Sequence, residues 1–154
     1  MRTMLLSFKS SVYDNVKSGK KIYEHRKVFP DCAVKAYLYI SAPVKAIEGI
    51  LYLSNKTDLL EWKEKFKDDE CAVSRIDSYL KQHRYAMEIN AYQKTNRIPL
   101  QKLRNDLPGF VVPQMYYFID DKPLSAYLES NLKPEGERVI HTFQNITSED
   151  ICLL

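Results

Sequence analysis

Three extended segments follow one another between residues 21 and 54 with no helical pattern between them: 21–29, "AYLYIS" at 36–41 and "AIEGILYLS" at 46–54. Pro30 and Pro43 punctuate them, and their β-branched and aromatic side chains suit a pleated, half-buried surface. The whole chain reads strand, helix, several strands, helices, strand, helix, strand. That is not the strict alternation that builds a doubly wound sheet. The expected class is α+β: a mostly antiparallel sheet curled into a small β-barrel, with short helices at its flanks.

The remaining elements are read from period and punctuation. "MLLSF" (4–8) predicts a first strand and "SSVYDNVKSG" (10–19) a short helix. In that helix Ser11 and Asp14 stand at capping-box spacing, Val12, Tyr13 and Val16 share a face, and Gly19 takes the place of a C′ glycine. Leu59, Trp62 and Phe66 give 57–66 a helical period with Thr57 as its cap, and Val73, Ile76 and Leu80 do the same for 72–82. Segments 84–93 and 113–120 read as strands, 99–105 as one or two helical turns, and 123–131 as a helix opened by Pro123. A last strand is expected at 138–143.

With 154 residues, 45% of them hydrophobic and 28% charged, the chain is expected to fold as a single domain over 1–154. No apolar run approaches a membrane span, so no membrane partner is expected. The N-terminal stretch lacks the h-region of a signal peptide, which makes a cytoplasmic protein the expectation and leaves the sequon at Asn145 without consequence. Cys32, Cys71 and Cys152 are isolated and fit idle or buried thiols. His25, His83 and His141 are scattered, with no carboxylate at ligand spacing, so no metal is expected. With four glycines and no phosphate loop, nucleoside triphosphate chemistry is disfavoured and no cofactor is expected. A net charge of +3 does not by itself point to nucleic acid. Its distribution is uneven, however. Residues 1–50 carry nine Lys/Arg against four Asp/Glu, and the remainder fourteen against sixteen.

The basic part contains "SGKKIYEHRKVF", residues 18–29. Along a strand Ile22, Glu24, Arg26 and Val28 share one face, and Tyr23, His25 and Lys27 the other. If the first face turns inward, Glu24 and Arg26 each need a partner or must line a wet cleft. Lys21 follows the turn at Gly19, so the turn sets its direction and can aim it at the same cleft. One reading of these residues is a structural ion pair or a solvated charged face. The other is a polar pocket at the barrel rim, where Lys21 and Arg26 attract phosphate or carbonyl oxygens and Glu24 accepts from a base edge.

"GKKIYEHR" resembles the G-x-K-x-x-E-x-R signature of ASCH domains, a branch of the PUA-like superfamily, with Gly19, Lys21, Glu24 and Arg26 on its four fixed positions. "MLLSFKSSVYDNVKSG" resembles the opening strand and helix of the bacterial members. "KAYLYISAPVKAIEGIL" resembles the next two strands, and "RYAMEINAY" and "VPQMYYF" fall where later strands are expected. The resemblance covers about 4–119, leaving 120–154 as a C-terminal extension. It implies a PUA-like β-barrel whose cleft holds the signature residues and whose partner is RNA or a nucleotide or nucleoside. Lys9 then lies beside the cleft as a phosphate ligand, backed by the N–H groups that open the following helix. Ser41, before the "APVK" turn, donates a hydrogen bond into it.

One small ASCH branch hydrolyses acetylated cytidine with a lysine, a threonine and a distant glutamate. Its threonine stands where this chain has Glu24, so the same deacetylation is not expected here. The alternative to binding is a different hydrolysis, of a modified nucleoside or RNA, with Lys21 and Glu24 as catalytic proton-transfer groups. A third reading is a protein-interaction module, with a protein partner on the extension. Tyrosines at 23, 37, 39, 85, 92, 116 and 117 lie in predicted strands, where an exposed ring stacks a base for roughly 1–3 kcal/mol. Taken singly, each reads as half-buried sheet surface. Trp62, flanked by Leu59 and Phe66, reads as core.

Overall fold

A computed structural model describes residues 1–152 of the chain. Along its first strand, Arg2–Phe8 (β1), successive side chains leave in opposite directions, and from Met4 to Leu6 both directions are buried. Met4, Leu6 and Phe8 enter an inner cluster with Ala36, Leu38, Leu51 and Met87. Leu5 enters an outer one with Tyr37, Ile47, Ile98 and Leu128. A sheet apolar on both faces has to be covered on both faces, and the helices supply the outer cover.

The elements that follow are α1 (Ser10–Lys17), β2 (Tyr23–Arg26), β3 (Val34–Ile40), β4 (Ala46–Leu53), β5 (Thr57–Asp58), α2 (Leu59–Lys65) and α3 (Glu70–Leu80). After them come β6 (Tyr85–Gln93), β7 (Ile98–Pro99), α4 (Leu100–Asp106), β8 (Tyr116–Phe118), α5 (Pro123–Asn131) and β9 (Val139–Ile140). The sheet runs β2-β6-β4-β3-β1-β8, with β5 and β9 also on β6 and β7 on β4. It curls into a half-barrel. Its pairings are antiparallel except β1 with β3, which run parallel in register from Arg2↔Val34 to Phe8↔Ile40. The α+β class and the curled sheet expected from the sequence are the ones observed. Helices α2 and α3 cover β2 and β6 through Leu59, Trp62, Ala72 and Ile76, which makes Trp62 a core residue.

Local differences from the expected elements have physical causes. Pairing of the segment expected at 21–29 stops at Arg26, so the alternation stops there too. Val28 is 54% exposed instead of facing inward, and Phe29 enters the core. Asp58, rather than Thr57, caps α2 by accepting the Leu60 N–H at 2.8 Å. Lys9 occupies the N-cap of α1, so the Ser11–Asp14 box is unused, while Gly19 does follow the helix at φ 79°. The two-residue strands β5 and β7 are too short to leave a period in the sequence. Part of the C-terminal extension packs against the domain: Leu128 and Leu132 join the outer cluster, and Ile151 and Cys152 the one around Trp62. Among the described residues, no helix is long and apolar enough to cross a membrane.

Candidate functional site

Strand β2 is the edge of the sheet, bonded to β6 on one side and facing a cleft of about 560 Å³ on the other. Its free edge leaves the His25 N–H without a strand partner. The Glu24 carboxylate fills that place, with Oε1 accepting this N–H at 2.8 Å. The same carboxylate holds two cations. Lys21 Nζ lies 4.0 Å from Oε1, and Arg26 Nη2 lies 3.4 Å from Oε2. Arg26 also crosses to β1, where it donates to the Ser7 carbonyl at 2.9 Å and stands 5.9 Å from the centre of the Phe8 ring. Its guanidinium therefore spans part of the gap between the two strands.

Gly19, in the left-handed region, turns the chain out of α1, and the Lys21 N–H donates to the Asn15 carbonyl at 3.1 Å. Those two features aim the Lys21 side chain inward, where it is 2% exposed. Burial pulls its pKa below the ordinary lysine value; Glu24 opposes that pull and Arg26 adds to it. Lys9 and Ser41 reach the cleft for a reason of topology. The parallel register that pairs Phe8 with Ile40 sets the residues just after each strand side by side, and the Ser41 N–H donates to the Phe8 carbonyl at 2.9 Å. Lys9, Lys21, Glu24, Arg26 and Ser41 thus all line one cleft.

Other lining residues escaped the sequence reading: His25, Tyr79, Gln82, His83 and Gln114. Strand alternation put His25 on the face opposite Glu24. At an unpaired strand edge, side chains from both faces border the same opening, so His25 lines the cleft as well. Tyr79 and His83 come from α3 and the turn after it, more than fifty residues away in sequence. The ring of His25 lies 4.7 Å from that of Tyr79 and 6.2 Å from that of His83. Burial, and then the charge of Lys21, hold His25 well below the ordinary histidine value. No local sequence signal links these rings.

A larger groove, of about 920 Å³, lies on the side of α2 and is bordered by Tyr23, Trp62, Phe66 and Phe143. Its charged lining is Glu61 and Glu88 against Lys65, which does not favour an anion. Among the described residues no group of three or more His, Cys, Asp or Glu is placed to hold a metal ion.

No family model and no curated protein matches the chain. Solved structures do. The ASCH protein of Zymomonas mobilis aligns with a TM-score of 0.65 at 20% identity, covering 86% of this chain and 96% of that one. A serine-to-alanine variant of it aligns at 0.66 and 21% identity, covering 86% and 97%. The fold is ASCH. A tyrosine-to-phenylalanine variant of the same protein agrees, at 0.63 and 19% identity over 86% and 100% of the two chains. In this ASCH fold the cleft opens between β2 and the end of β1, with G-x-K-x-x-E-x-R lining it through Lys21, Glu24 and Arg26.

Proposed function

We propose that the cleft binds RNA or a nucleotide fragment. The observation that carries this is the pair of cations, Lys21 and Arg26, held by one buried carboxylate at the cleft, with Lys9 exposed at its lip. Two cations fixed by Glu24 are preorganised for phosphate or carbonyl oxygens, and Ser41 adds a donor. Glu24 Oε2, whose contact to Arg26 is long, orients the base by accepting from an exocyclic amine.

Phosphate contacts release counterions, so affinity for single-stranded RNA is expected to fall as salt rises, by about 0.7 in the log–log slope for each phosphate held. Lys9→Ala is expected to flatten that slope by roughly one contact while leaving the fold unchanged, because Lys9 is exposed. Titrations at four salt concentrations check it. Affinity indifferent to both salt and Lys9 contradicts the reading and favours a protein-interaction module.

A second reading, hydrolysis of a modified nucleoside or RNA, is favoured by the burial of Lys21. An amine whose pKa is lowered beside a carboxylate is suited to proton transfer. On this reading Glu24→Gln is expected to reduce turnover about 100-fold, beyond any change in substrate binding. The assay incubates the protein with acylated nucleosides and short RNAs and follows product by mass. If wild type yields no product while binding RNA, the hydrolase reading falls for those substrates.

A further inference from the structure

His25 is 4% exposed, and among the described residues neither of its ring nitrogens has a hydrogen-bond partner; the hydroxyl of Tyr79 beside it is also buried without one. Folded proteins pair such groups almost always, since an unpaired one forfeits its hydration for nothing. Both residues line the cleft, and so does His83, whose ring is 5.5 Å from that of Tyr79. Burial lowers the pKa of His83 too, as it does for His25, so near neutral pH the three rings form an uncharged aromatic surface. Lys9 and Arg26 line the same cleft.

The cationic and the aromatic groups of the cleft therefore call for different chemistry. The cations suit an anion. The rings suit a flat, uncharged group that carries its own donors and acceptors. A neutral imidazole offers one donor and one acceptor, and a phenol offers either. Glu24 Oε1 already accepts the His25 N–H and faces Lys21, so Oε2 is the oxygen left to Glu24 for a base edge and the rest of that edge needs other groups. A nucleotide joins an anion to such a heterocycle in one unit, and a cleft of about 560 Å³ has the size that encloses a single small ligand.

We propose that His25, Tyr79 and His83 are the base site of this cleft, taking the heterocycle of one nucleotide whose phosphate lies at Lys9 and Arg26. The proposal rests on the nucleotide-binding reading above and adds to it which residues select the base. The base stacks on His83 and meets His25 and Tyr79 with its edge. The His25 nitrogens and the Tyr79 hydroxyl are shielded from solvent, so a neighbouring side chain has to shift for the base edge to reach them.

The test compares ligands that differ only in the base. Binding of the four nucleoside 5′-monophosphates and of ribose 5-phosphate is measured on the full chain, for wild type, Tyr79→Phe, His83→Ala and Lys9→Ala. At least one nucleotide is expected to bind about tenfold more tightly than ribose 5-phosphate. Tyr79→Phe and His83→Ala should each remove a severalfold part of that preference and leave ribose 5-phosphate unchanged, whereas Lys9→Ala should weaken both ligands alike. Tyr79→Phe deletes a hydroxyl that has no partner, so its melting temperature should not fall, which separates lost recognition from lost folding. A short RNA of the preferred base identifies the source. Affinity well above that of the mononucleotide assigns an RNA nucleotide, equal affinity assigns a free one, and Tyr79→Phe must weaken either. The proposal is overturned if no nucleotide binds more tightly than ribose 5-phosphate, or if the preference survives both ring variants. If neither nucleotides, ribose 5-phosphate nor RNA binds, the nucleotide-binding reading itself fails, and the base site with it.

Discussion

Glu24 does three things with one carboxylate: it caps the free edge of β2, holds Arg26, and faces the buried amine of Lys21. The carboxylate is therefore structural before it is anything else, because each group it serves would otherwise sit in a poorly hydrated wall. Replacing it by the neutral amide keeps an acceptor for the His25 N–H and removes the negative charge that faces Lys21 and Arg26. Glu24→Gln is expected to destabilise the fold by about 1–3 kcal/mol, read as a shift in the urea midpoint. Adding Lys21→Met to it should recover part of that loss, since the second change removes a buried amine that faced the lost charge. Equal stability of the single variant and wild type would show that the pairing is not what holds the site.

At the scale of elements, the cleft depends on the inner packing that holds α1 against β4 and β6. The hydroxyls of Tyr13 and Tyr92 meet at 2.6 Å, and Gly49 of β4 lies under them at φ 85°, next to the register shift opposite Leu38. Its N–H donates to Thr95 Oγ1 at 2.8 Å. A Cβ at position 49 would stand 2.7 Å from the Tyr13 hydroxyl and 2.9 Å from the Tyr92 ring, in a backbone region that side chains rarely adopt. Gly49→Ala is expected to cost about 3 kcal/mol, combining backbone strain with overpacking, and to lower the melting temperature accordingly. Because α1 leads directly into Gly19 and Lys21, the same variant should also weaken ligand binding. Unchanged thermal stability would contradict this account of the bulge.

Over the whole molecule, the histidines His25, His83 and His141 share one property: burial lowers the pKa of each. Each is harder to protonate in the folded chain than in the unfolded one, where the ordinary value is 6.5. Below that value the unfolded chain binds more protons, so stability is full above the unfolded pKa and is lost as the pH falls through it. The fully buried His25 alone sets a slope of up to about 1.4 kcal/mol per pH unit in that window. Asp58, Asp106 and Asp120 have lowered pKa values as well, and their contribution is lost only in the more acidic range below the ordinary 3.8. The urea midpoint should therefore drop between pH 7.5 and 5.5, above the range in which these three aspartates act. A midpoint that is flat across that interval would contradict the burial of these rings.

Much of this was written locally. Strands β3, β4 and β6 alternate or run apolar over seven to nine residues, long enough for their period to be read, and Lys21, Glu24 and Arg26 are close neighbours in one short segment. Their shared chemistry is legible because a turn and four strand residues fix where they point. What the sequence did not carry is who stands across from them. Lys9 meets Ser41 through the parallel pairing of β1 with β3, a contact that spans more than thirty residues. His25 reaches the cleft because β2 has one partner strand instead of two, and whether a strand is an edge is a property of the assembled sheet. Tyr79 and His83 complete the wall because α3 packs over that edge through Ala72 and Ile76. Side-chain period is set by backbone geometry within a few residues, so a linear reading recovers it. The cleft is set by which apolar faces bury one another across the chain, and only the packed structure decides that.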